Sequence, residues 1–246
     1  MKTKTKRNIA KILGISIVLA LLLAVEATTG DPLTRAWANS SMVKHAEKLY
    51  PNQTFHLKDE SNGQLFQYSG IVQSDQSADT WFHAQTFLGF VTYDNHESMV
   101  EQKFTTALRM STDIAQQAGQ ILAEKAPALA LAPVYRQERD TCFVVCSYDP
   151  ATKNEDLAYA DAYTLDMEDT SAVISAVPCK VQMQILSDAP TRKELDAALV
   201  TVKTALESSN MPFAYYNITL VPSEGTHESI LAGVVESGDV KAADIA

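Results

Sequence analysis

Five histidines, three cysteines and one dense acidic stretch are the residues here with chemistry to offer. His45, His56, His83, His96 and His227 are scattered along the chain, with no HExxH and no pair spaced to share a metal on one helix face. His83 lies in an apolar run and reads as a core or cross-strand residue; the other four read as surface positions. Cys142 and Cys146 stand four apart in "TCFVVCSYD". On a strand that spacing is about 13 Å along one face, too far for them to bridge each other. Cys179 shares a period-2 face with Val177, Val181, Met183 and Ile185. The three thiols therefore read as small buried apolar groups. The alternative is a bridge from Cys179 to Cys142 or Cys146, which requires neighbouring strands. An odd count argues against a fully paired framework, and without CxxC there is no metal-ligand spacing.

The acids Glu155, Asp156, Asp161, Asp166, Glu168 and Asp169 do not follow the oxygen-ligand pattern of a calcium loop. They read as a solvated face. Tyr159, Tyr163, Tyr215 and Tyr216 offer either an aromatic recognition patch or the ordinary packing of a half-buried sheet. GxSxG, P-loop and GxGxxG signatures are absent, and only nine glycines are present. No catalytic, cofactor-binding or metal-ligating residue is assigned, and no cofactor is implied.

What must position these residues begins with an apolar run, Ile9–Val25, behind Lys2, Lys4, Lys6 and Arg7 and with Lys11 as its one internal charge. Those five cations leave 15 of the 20 Lys and Arg against 30 acids, a strongly anionic remainder. Such a body repels nucleic acid and anionic headgroups, which excludes a nucleic-acid binder. Two readings fit the run. One is a single-pass anchor over 9–27 with residues 1–8 cytoplasmic; the other is a signal peptide cleaved near Ala27 after Val25-Glu26-Ala27. Both leave the body outside the cytoplasm. The anchor is preferred because a helix starts almost at once, with Asp31 as N-cap and Pro32 at N1. Leu33, Trp37, Val43, Ala46 and Tyr50 are its expected apolar stripe, with Trp37 near the headgroup layer.

The spacing then predicts a three-stranded antiparallel meander from "TFHLKDE", "QLFQYSGIVQS" and "TWFHAQTFLGFVTY", the last as one long central strand. A helix follows from a capping box at Asp94 and Glu97, with a stripe of Val100, Phe104, Leu108, Ala115, Ala118 and Leu122. It is expected to pack across the meander, so that 31–126 is a first α+β domain. Residues 127–140 read as a linker. A second α+β domain, 141–246, holds the Cys142 strand, the "VPCKVQMQIL" strand and a helix capped by Thr191 and Glu194. Its helix stripe is Leu195, Leu199, Val202 and Leu206, and "FAYYNITLV" and "SILAGVVES" are closing strands. The fold class is α+β: an N-terminal membrane helix and two small domains, each an antiparallel sheet packed by helices.

"LYPNQTFHLKDE", "SADTWF" and "YDNHESMVEQKFTTALRM" resemble the first extracytoplasmic domain of YfjL-like proteins of Gram-positive bacteria. The "GDP" after the apolar run is similar to their exit from the membrane. "VQMQIL", "APTRKELDAALVTVKTALESSNMPFAYYNITL" and the closing "AADIA" resemble their second domain. The first hairpin is short beside that pattern, and 134–176 departs from it. The resemblance implies a membrane tether and two small α+β domains, and supplies no activity. The expected function is a binding or interaction module at the cell surface, with the membrane and an unknown surface protein or peptide as partners. An envelope-acting hydrolase and a structural or assembly subunit are the alternatives.

Overall fold

The computed structural model describes residues 11, 13–18, 20–21, 24, 32–59, 62–64, 66–132, 141–148 and 160–245. It divides into two units, one through Glu101 and one from Gln102. The expected anchor, 9–27, falls largely outside the described residues. Those of its positions that are described are helical. Among the described residues no helix is long and apolar enough to cross a membrane.

In the first unit, helix α1 (Pro32–Leu49) covers one face of a sheet made of β1 (Phe55–Leu57), β2 (Asn62–Gln64), β3 (Gln67–Ser74), β4 (Trp81–Phe87) and β5 (Phe90–Asp94). Every pairing is antiparallel, with β3 and β4 central and β5 at an edge. Alternation along β4 sends Phe82, Ala84 and Thr86 inward. Helix α1 meets them with Ala38, Met42 and Ala46, four residues apart, all fully buried. The expected stripe is therefore rotated: Leu33 and Trp37 face solvent, and small residues let the helix approach the sheet.

The "TWFHAQTFLGFVTY" run is a hairpin, not one strand. Leu88 and Gly89 take φ of 50° and 75°, the pair of positive values a type I′ turn demands. The turn escapes notice in the sequence because leucine stands where asparagine or aspartate usually signals it.

The predicted helix from Asp94 is also broken. A π-helical turn, Glu97–Glu101, precedes Lys103 at φ 61°, and only then does α2 (Phe104–Lys125) begin. Its buried stripe is Met110, Ile114, Ala118 and Leu122, one face at i, i+4, whereas Leu108 is exposed. This stripe joins the core of the second unit, against β7 (Cys142–Cys146) and the helix Arg192–Glu207. The expected packing across the meander is thus overturned, and the boundary moves from 126 to the Glu101–Gln102 step. Each large apolar side chain so buried contributes about 1.5–3 kcal/mol, which accounts for the helix's allegiance.

The second sheet contains β6 (Leu131–Ala132), β7, β8 (Cys179–Ser187), β9 (Tyr215–Pro222), β10 (Val235–Glu236) and β11 (Val240–Lys241). Helix α3 (Thr170–Ala176) precedes β8, α4 (Arg192–Glu207) joins β8 to β9, and α5 (His227–Ala232) precedes β10. Strands β8 and β9 run parallel, a correction to the wholly antiparallel expectation. A strand–helix–strand crossover leaves its two strands side by side and parallel. The closing "SILAGVVES" segment is split: its first four residues end α5, and Val235–Glu236 form the short strand β10 against β9. Where the local signals agree, the elements fall as expected. Thr191 caps α4 by accepting from the Glu194 amide at 3.2 Å, and Leu195, Leu199, Val202 and Leu206 are buried. Asn210, at φ 57°, follows the end of that helix.

Candidate functional site

Two features of the first unit combine residues that its core does not consume. The first is built on Asp94, the last residue of β5. Its Oδ2 lies 2.8 Å from Nε2 of His45 on α1, and its Oδ1 meets Nδ1 of His96 and accepts the His96 amide at 3.1 Å. Tyr50, at the end of α1, donates to Glu101 at 2.9 Å and stands edge-on to the His96 ring. Burial works to raise the Asp94 pKa, but the hydrogen bonds from both imidazoles outweigh it and hold the carboxyl below its ordinary range. Burial and the Glu101 hydrogen bond push the Tyr50 hydroxyl well above its ordinary value.

A carboxylate orienting an imidazole is one half of a general-base relay. The other half is missing among the described residues: neither His45 nor His96 is hydrogen-bonded to a serine, threonine or cysteine. Nor does any group of three or more His, Cys, Asp or Glu among them form a metal site. The arrangement ties α1, β5 and the following turn together. The Asp94–Glu97 capping box is not formed, because Asp94 is committed to the histidines.

The second feature is the β4–β5 hairpin tip. Phe87 and Phe90 are opposed across the turn, with Leu88 between them. All three are exposed, Phe90 by 68%. The Trp37 ring stands edge-on to Phe90 at 5.8 Å and lies over Gly89, where an added Cβ would come within 2.4 Å of it. Leu33, one helical turn before Trp37, is 79% exposed. Five large apolar side chains thus gather at one end of the unit, and single exposed leucines are ordinary where such a cluster is not.

Residues 5–95 match the YfjL-like, N-terminal domain family. The matched segment contains α1, the whole first sheet, Asp94 and the apolar tip; His96 lies one residue beyond it. No curated protein matches the chain. A solved DUF5037 family protein from Ruminococcus gnavus ATCC 29149 aligns at 9% identity over 81% of this chain and 82% of its own, with a TM-score of 0.23. A score so low bears no weight.

The remaining candidates lie outside this tip and the Asp94 cluster. His56 pairs with Asp75 at 2.6 Å on the surface, and His83 is exposed beside Trp81. The His227 side chain lies outside the described residues, as do Glu155, Asp156 and Tyr159. Asp169 is spent as the N-cap of α3, accepting from the amides of Ser171 and Ala172. Tyr163 and Tyr216 are fully buried, while Tyr215 is half-buried with its ring edge-on to Tyr148, so two of the four tyrosines belong to the core.

Sequence reading missed Lys180. It is buried on β8, lies 3.8 Å from the Tyr148 ring centre and 3.6 Å from Asp239. Asp239 also accepts from Asn217 at 2.7 Å and from the Tyr148 hydroxyl. This knot anchors the closing segment to the sheet. Its only sequence signal is a lysine on the strand's polar face.

Proposed function

We propose that this protein is a binding module at the cell surface, membrane-anchored by residues 9–27, whose YfjL-like domain rests on the outer membrane interface through its apolar tip. The single observation that carries this reading is the cluster of Leu33, Trp37, Phe87, Leu88 and Phe90 at one end of the unit. The bilayer is the favoured occupant for reasons of chain length and chemistry. Four residues separate Ala27 from Pro32, and at ~3.6 Å per residue they reach at most about 14 Å, roughly twice the headgroup layer of one leaflet, which keeps the first turns of α1 near the interface. Leu33 and Trp37 occupy the first turns after that exit. Tryptophan and phenylalanine favour the layer where an apolar body meets water. Insertion needs no charge pairing, which suits an anionic body.

The edge of β5 is a poorer binding template. It is five residues long and bulged, since Gln85 pairs with Tyr93 while Thr86 pairs with Val91. Side chains, not strand addition, therefore make the contact. A hydrolase of envelope material is the second reading, and the Asp94–histidine cluster favours it. It would require a nucleophile or activated water beside His45 or His96.

A photoreactive amino acid placed at Phe90 in the full chain, in membranes of living cells, tests the proposal. Adducts of phospholipid size are the expected product. Adducts to one protein of defined size would transfer the tip to a protein partner, and no adduct at all would end the docking reading.

A further inference from the structure

The register of the second sheet sets Cys146 of β7 directly opposite Cys179 of β8. Cys142, the other candidate, faces Met183. Directly opposed antiparallel residues have Cα atoms about 4.5–5.5 Å apart, inside the range of about 4.4–6.8 Å that a disulfide spans. The two sulfurs point at each other and stand 3.1 Å apart. Closing that gap to roughly 2 Å needs movement of about 1 Å, within the play of two side-chain torsions.

The structure assigns Cys146 and Cys179 as a disulfide-forming pair, oxidised by exchange with a disulfide-bearing oxidant and left as a covalent clamp between β7 and β8. The oxidising setting rests on the extracytoplasmic reading above; the geometry does not.

The pair is chemically asymmetric. The Cys179 thiol donates to the Cys146 sulfur, which holds Cys146 below the ordinary thiol range and Cys179 above it. That hydrogen bond forms only with β7 on β8, so before docking either thiolate can open the exchange, Cys146 for instance. Its thiolate attacks one sulfur of the oxidant and expels the other as a thiolate. Cys179 then passes its proton to that thiolate and attacks the Cys146 sulfur, releasing the second. Two protein thiols lose two electrons and two protons in all, and the oxidant's disulfide becomes two thiols.

Burial dictates the timing. Cys146 is 7% and Cys179 1% exposed, so exchange precedes the docking of β7, and the finished bond is shielded from reductant in the folded state. Cys142 stays reduced. It faces Met183 across the sheet, so no second thiol stands opposite it to close a bridge.

The test is sequential labelling of the full chain isolated from the producing cell. Free thiols are blocked under denaturing, non-reducing conditions, the chain is reduced, and new thiols receive a second label before peptide mass mapping. Cys142 should carry the first label, and Cys146 and Cys179 the second. Reductant applied to the folded chain should leave that pattern intact. Cys179→Ser should move Cys146 to the first label, while Cys142→Ser should leave the second label on 146 and 179. A second sample is unfolded, reduced and refolded with oxidised glutathione. A bridge there but not in the cell-derived chain would overturn the oxidising setting. Three first-labelled cysteines in both samples, or a Cys142–Cys179 bridge, would overturn the pairing itself.

Discussion

Asp94 serves two imidazoles with one carboxylate, and its substitution separates a structural brace from a catalytic one. Asp94→Asn keeps the shape but loses the charge that both histidines share. It should cost about 1–3 kcal/mol in chemical denaturation. If the cluster is a brace, a photoreactive residue at position 90 reports the same membrane contact in the folded variant as in wild type. Gly89 gives a second residue-scale prediction. Its φ of 75° and the Trp37 ring over its α-carbon leave no place for a methyl. Gly89→Ala should destabilise by about 1–2 kcal/mol and change the Trp37 emission. Neither role was legible beforehand. Asp94 and Glu97 matched a capping box, and nothing local in the sequence announces that a histidine 49 positions away competes for the same oxygens.

At the scale of elements, the hairpin turn shows a conflict between folding and surface chemistry. Leu88 sits at positive φ, where leucine is strained and asparagine is not. Leu88→Asn should therefore raise stability by about 1 kcal/mol, read from the denaturation midpoint, while weakening membrane contact. Equal or tighter contact would mean the tip has no docking role. That conflict also explains why the hairpin was read as one strand: the usual polar turn residue is replaced by an apolar one. Helix α4 is legible in its cap and its stripe, because Thr191 and the Leu195, Leu199, Val202 and Leu206 spacing agree. Helix α2 was legible as a helix but not in its partner. Periodicity names a buried face and is silent about which sheet receives it, and Leu108 and Met110 each fit a stripe. The parallel β8–β9 pairing was within reach, since a helix between two apolar strands is the ordinary sign of a crossover.

For the whole molecule, acid should loosen both units. Asp94 in the first and Asp239 in the second have folded pKa values below the ordinary carboxylate range. For Asp239, burial opposes the shift, while hydrogen bonds from Tyr148 and Asn217 and the Lys180 charge outweigh it. A depressed folded pKa contributes stability that is present above the unfolded value and lost as the pH falls through the folded one. Melting temperature should thus hold near neutrality and drop below about pH 4, less steeply in Asp94→Asn. The overall α+β class was readable from alternating and helical stretches, and the family match bears on 5–95 alone. The proposed docking of the first unit on lipid through Trp37 and its neighbours has a direct test. Only two tryptophans occur, so Trp81→Phe leaves Trp37 as the sole reporter. The full chain carrying that change, reconstituted into phosphatidylcholine vesicles with brominated acyl chains, measures the contact directly. Quenching of Trp37 emission that Phe90→Ser diminishes is the expected result; emission unchanged by brominated lipid would contradict the docking.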